Sequence, residues 1–80
     1  MNENGVKYQQ AFCMAFDIGV ENLENLKFQD IPAWDSVGHM GLVAQLEDTF
    51  NITLEPDDIV DLSSYKKGIE ILSKYNITIS

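Results

Sequence analysis

Arginine is absent from this chain, and cysteine, histidine and tryptophan occur once each, as Cys13, His39 and Trp34. A single cysteine closes no internal disulfide, and one cysteine with one histidine cannot complete a four-ligand zinc site. Stability has to come from an apolar core. No stretch approaches the roughly 18 consecutive apolar residues of a membrane-spanning helix. The opening Met1-Asn2-Glu3-Asn4-Gly5 has neither the positive region nor the apolar run of a secretory signal, so a cytoplasmic protein is expected. Five lysines stand against 13 Asp and Glu, a formal charge of -8. That balance opposes nucleic-acid binding and adsorption to anionic lipid, both of which need clustered basic residues. Basic protein surfaces are the partners it favours.

The chain is 80 residues long and 45% hydrophobic, with Leu, Ile, Val and Phe throughout, which places it outside the composition of a disordered acidic tail. One domain is expected over 1–80, with a helical core at about 6–75 and no membrane insertion. A monomer is the expected state. A chain of this size buries only about 60% of the surface its unfolded form exposes, which leaves little to wall a deep pocket.

Helical spacing first shows in Val6 to Phe16, where Tyr8, Phe12, Ala15 and Phe16 share a face. Asp17-Ile18-Gly19 offers a stop. A long segment follows to Asp35, carrying apolar anchors at Val20, Leu23, Leu26, Phe28, Ile31 and Trp34, with a short helical turn expected over Asn22 to Leu26. Long loops in compact domains are usually functional. Pro32 biases Ile31 away from helix, and Asp35 is a good N-cap, so a second helix starts near Ser36 and runs to about Phe50. Its core face holds His39, Leu42, Val43, Leu46, Thr49 and Phe50, and Val37, Met40 and Ala44 fall outward. Pro56 opens a short third helix to about Asp61, with Asp57 and Asp58 in its first turn. Ser63 or Ser64 caps a last helix through Tyr65, Ile69 and Leu72, weakened by Gly68 and continuing as far as Lys74-Tyr75. The fold class is all-α: a small four-helix bundle with three main helices, a short third one and a long loop between helices one and two. The tail Asn76-Ile77-Thr78-Ile79-Ser80 alternates like a strand but has no evident partner.

Cys13 and His39 are the only candidate nucleophile and base, and no third orienting group accompanies them; a buried thiol and a packed imidazole are the simpler account. The acidic run Asp57-Asp58-x-x-Asp61 lacks the spacing of a calcium loop and reads as a solvated face. No catalytic residue and no metal ligand is assigned. Ser36 stands apart because it opens a helix after a long loop. A phosphate on its hydroxyl would meet free backbone N–H groups and the positive end of the helix dipole. Plain capping by the Asp35-Ser36 pair remains the competing account.

The stretch Asp35-Ser36-Val37-Gly38-His39-Met40, the run Leu42-x-x-x-Leu46-Glu47-x-x-Phe50, the acidic Pro56-Asp57-Asp58-Ile59 and the helix from Ser64 to Tyr75 resemble the acyl and peptidyl carrier proteins. The likeness extends over about Val6 to Tyr75, and Ile31-Pro32-x-Trp34-Asp35-Ser36 is similar to the approach to the serine in many stand-alone carriers. It implies an acyl-carrier-protein-like fold and a carrier that is not itself an enzyme. Ser36 would receive 4'-phosphopantetheine from coenzyme A through a phosphopantetheinyl transferase, and Asp35 would assist recognition by that transferase. The arm would hold an acyl or aminoacyl group as a thioester, loaded by a ligase and passed to downstream acyl-transfer or synthase enzymes. Cys13 is then not the working thiol.

Two departures from the family pattern qualify this. Val37 stands where leucine is usual, and Gly38 and Gly41 stand where carriers of fatty acid synthesis commonly place acids. A partner surface of Val37, Met40, Ala44, Glu47, Asp48, Asp57 and Asp58 is expected, with a dedicated biosynthetic pathway favoured over general fatty acid synthesis. His39 and Trp34 are expected to pack, the first with a hydrogen bond toward the preceding loop and the second as an anchor of that loop. The alternative is an unmodified helical interaction module that uses the Val37-Met40-Ala44 stripe.

Overall fold

A computed structural model describes residues 1–80 and contains four helices and no strands. Helix α1 spans Glu3–Phe16, α2 Ser36–Phe50, α3 Pro56–Asp61 and α4 Tyr65–Ser73, with a 3-10 turn at Leu23–Asn25 inside the long loop. No helix is long and apolar enough to cross a membrane.

Each boundary has a local cause. The side chain of Asn2 accepts from the Gly5 amide at 2.7 Å and starts α1 at Glu3, before the apolar periodicity that placed the start at Val6 becomes visible. Asp17 and Asn51 adopt the left-handed conformation and close α1 and α2, each donating its amide back into the last turn. Pro56 opens α3. Of the two serines expected to cap the last helix it is Ser64 that does so, its Oγ accepting from the Lys67 amide at 2.9 Å. Helix α4 stops at Ser73, and Lys74 and Tyr75 turn toward α3 instead of extending it.

The core joins one face of α1 (Tyr8, Ala11, Phe12, Phe16) to Leu42, Val43 and Leu46 of α2 and to Tyr65, Ile71 and Leu72 of α4. Of the face assigned to α2, His39, Thr49 and Phe50 lie half-buried at its margins. Gly68 lets α4 approach α1: a Cβ there would stand 2.0 Å from the Tyr8 hydroxyl, which donates to the Tyr65 carbonyl at 2.6 Å. The residue that weakens helix propensity is therefore what allows this contact.

The long loop is pinned rather than free. Leu23, Leu26 and Trp34 are buried in the core. The Phe28 amide donates to the Ser63 carbonyl and the Tyr65 amide to the Leu26 carbonyl, tying the loop to the α3–α4 connection. The tail forms no strand. Ile77 is buried, the Asn2 side chain donates to the Thr78 carbonyl at 2.8 Å, and the Asn2 amide donates to the Ser80 carbonyl.

Candidate functional site

Ser36 is the first residue of α2 and is exposed. Asp35, with φ -102 and ψ -168, is the N-cap; its Oδ1 accepts from the Gly38 amide at 2.8 Å and its carbonyl accepts from the His39 amide at 2.8 Å. The amides of Ser36 and Val37 donate to no protein acceptor. Two N–H groups at the positive end of a 15-residue helix therefore remain available beside an exposed hydroxyl. That is the electrostatic setting in which a phosphoester is stabilised. The capping role expected of Asp35 is present.

Trp34 and His39 flank the serine in the chain, two residues before it and three after. Trp34 is fully buried, with ring centroids 5.2 Å from Phe16, 5.6 Å from Phe12 and 6.3 Å from Phe28. Its indole N–H donates to His39 Nδ1 at 3.0 Å. Indole nitrogen only donates, so Nδ1 must be the unprotonated nitrogen, and the 2.7 Å contact from Nε2 to the Ile59 carbonyl is then a donation by Nε2–H. His39 thus ties the loop, α2 and α3 together, and Trp34 anchors the loop as expected.

Neither ring nitrogen of His39 is free to serve as a base for Cys13. Burial pushes the Cys13 thiol up from its ordinary range, with the Glu21 charge adding to the effect, which is the reverse of an activated nucleophile. No group of three or more His, Cys, Asp or Glu side chains is placed to hold a metal ion.

The expected partner residues divide. Val37 is 81% and Met40 53% exposed, and Ala44, Asp48 and Asp57 also face solvent. Glu47 is half-buried, and its Oε2 accepts from the Leu54 amide at 2.9 Å, so part of its charge is used inside the fold. Asp58 departs from the expectation. It is buried, not part of a solvated face: Lys74 Nζ donates to its Oδ1 and the Tyr75 hydroxyl donates to its Oδ2 at 2.6 Å. These bonds hold its carboxyl below the usual carboxylate range, Lys74 first and Tyr75 second.

Two features escaped the sequence. A Cβ at Gly38 would lie 1.8 Å from the Ala33 carbonyl oxygen, so the loop crosses directly over the first turn of α2; a Cβ at Gly41 would meet nothing within 4 Å. Gly38 therefore has a packing reason for lacking an acid, whereas Gly41 is open. Val60 on α3 is 80% exposed and lines, with Phe28, His39, Ile59, Leu62 and Ser63, a mostly apolar cleft of about 210 Å³. The alternation of buried and exposed positions in a six-residue helix is too short to reveal such a residue.

Comparison with protein-family models, curated proteins and solved structures gives no match to this chain.

Proposed function

We propose that this protein is a stand-alone carrier working in the cytoplasm, which holds an acyl or aminoacyl group as a thioester on a 4'-phosphopantetheine arm attached to Ser36. The observation that carries the reading is the exposed Ser36 hydroxyl at the start of α2, beside the unengaged amides of Ser36 and Val37. The site fits the group: the phosphodiester would accept from those amides, and Asp35 keeps its Oδ1 turned to Gly38. The arm supplies the terminal thiol, which neither Ser36 nor the half-buried Cys13 provides. Loading would join Ser36 Oγ to the pantetheine-side phosphorus of coenzyme A, with the pyrophosphate linkage broken, the adenosine bisphosphate as leaving group and the serine proton passing to the transferase.

Val37, Met40 and Ala44 form the apolar part of the docking surface, with Asp48 and Asp57 steering basic patches of the transferase, the loading ligase and the acyl-handling enzymes. A dedicated pathway suits the bare surface at Gly41. The test is intact mass after incubation with coenzyme A and a broad-specificity phosphopantetheinyl transferase. The parent chain is expected to gain one phosphopantetheinyl group, and Ser36→Ala, folded by circular dichroism, none. No gain on the parent with a demonstrably active transferase would overturn the carrier. The exposure of Val37 and Met40 would then favour an unmodified interaction module, whose partner binding is indifferent to Ser36.

A further inference from the structure

Helix α3 is attached to the rest of the molecule in an unusual way. Its one buried side chain is charged, that of Asp58; Ile59 is only partly covered and Val60 projects into solvent. The apolar anchors lie just outside it, at Leu54 before the helix and Leu62 after it, both buried. Between those posts the helix is held from two sides. At its start, Asp58 takes Lys74 Nζ on one oxygen and the Tyr75 hydroxyl on the other, and that hydroxyl in turn accepts from the Glu55 amide at 2.9 Å. Farther along, the Ile59 carbonyl accepts from His39 Nε2. Ile59 and Val60 wall the cleft whose other side is Phe28 and His39.

We propose that α3 is a flap hung between Leu54 and Leu62, and that the Asp58–Lys74–Tyr75 latch sets how often it lifts to uncover His39 and the cleft. An element with little apolar burial of its own belongs to the low-stability end of a fold and opens locally before the core does. A buried carboxylate that loses a charged partner is strongly disfavoured in its buried position, so loosening the latch moves Asp58 outward and carries α3 with it. Lys74 is accessible, its side chain 59% exposed, while the carboxylate it meets is only 8% exposed. The control point therefore lies at the surface and the element it governs lies over the cleft. The flap is a property of the chain itself and does not depend on modification of Ser36.

The experiment is residue-resolved amide hydrogen exchange by NMR on the full chain, comparing the parent with Lys74→Met, Lys74→Arg and Tyr75→Phe. The amides of Ile59 and Leu62, which bond the Glu55 and Asp58 carbonyls at 3.0 Å, report the flap, and those of Phe12, Val43 and Leu46 report the core. Lys74→Met and Tyr75→Phe are expected to speed flap exchange by about tenfold or more and to leave the core within about twofold, while Lys74→Arg stays close to the parent. The ring N–H of His39 should accelerate together with the flap. Lys7→Met, which breaks the exposed Lys7–Glu3 pair, is expected to change neither. Acceleration shared equally by core and flap, or flap exchange indifferent to Lys74 and Tyr75, would overturn the proposal.

Discussion

Replacing Gly38 and Gly41 separately by alanine sets two glycines of the same helix against each other. At Gly41 the added methyl meets nothing within 4 Å, so the only effect is the propensity gain of alanine over glycine, about 0.5–1 kcal/mol. At Gly38 the same gain is opposed by a clash, because the Ala33 carbonyl oxygen would sit 1.8 Å from the new Cβ. Backbone cannot swing aside as a side-chain tip can, so the loop must retreat by roughly an ångström or more. Trp34 follows Ala33 in the chain, and its indole bond to His39 and its packing on Phe12 and Phe16 move with it. Overpacking of this kind costs about 1–3 kcal/mol, the bond to His39 about 1, and loosening of the Asp35 cap about 1. A net loss of about 2 kcal/mol or more remains after the propensity gain. Thermal unfolding followed at 222 nm should show Gly41→Ala rising by about 2–8 °C and Gly38→Ala falling by about 8–16 °C, given about 4–8 °C per kcal/mol at this chain length. Equal stability of the two variants would show that the Ala33 carbonyl does not rest on α2 and would remove the packing reason for Gly38.

Gly68→Ala should destabilise the parent by displacing the Tyr8 hydroxyl from the Tyr65 carbonyl, yet cost much less in a Tyr8→Phe background; a double-mutant cycle by urea unfolding should give a coupling of about 0.5–3 kcal/mol, and strict additivity would refute the contact. Asp58 supplies a pH dependence. Its folded-state pKa lies below its ordinary 3.8, so its contribution is present above pH 3.8 and is lost as pH falls through the lower folded value. Removing Lys74, the largest cause, should bring acid unfolding on at a higher pH in Lys74→Met than in the parent, followed by the carboxyl carbon resonance of Asp58. An unchanged titration would show that the ion pair is absent in solution. Burial pushes the Tyr8 hydroxyl up, with Tyr65 adding to the effect, so its contribution is present below pH 10.0 and fades above it. Tyr8→Phe should therefore resist alkaline unfolding better than the parent relative to their stabilities at neutral pH, and identical alkaline midpoint shifts would count against a buried phenol.

What could be read from the sequence and what could not divide along a physical line. Asp35, Pro56, Asn51 and Ser64 act on amides and dihedrals within a few residues of themselves, so the bounds of α2 and α3 and the start of α4 were open to inspection. The apolar spacing of Tyr8, Phe12 and Phe16 likewise announced the face of α1. Asn2 is hard to read as a cap from sequence because it precedes the periodic pattern. Gly68 looked like a flaw in α4 because the reason for it, Tyr8, lies at the other end of the chain. Asp58 looked like surface charge because its partners stand 16 and 17 residues on, past the turn that brings α4 back to α3. At the site itself, Ser36 and Asp35 were legible from helix-start chemistry, whereas the half-commitment of Glu47 to the Leu54 amide depended on how the chain leaves α2.

The burial of Trp34 has a practical consequence. It is the chain's one tryptophan, so every photon of indole emission comes from the buried side chain two residues before Ser36. An indole packed at 0% exposure among Phe12, Phe16 and Phe28, with the imidazole of His39 lying nearly parallel at 6.3 Å, reports on the loop, the head of α2 and the α3 contact together. Emission wavelength and lifetime, recorded without any label, therefore follow the packing of the loop against α1, the head of α2 and α3, against a background free of any other tryptophan.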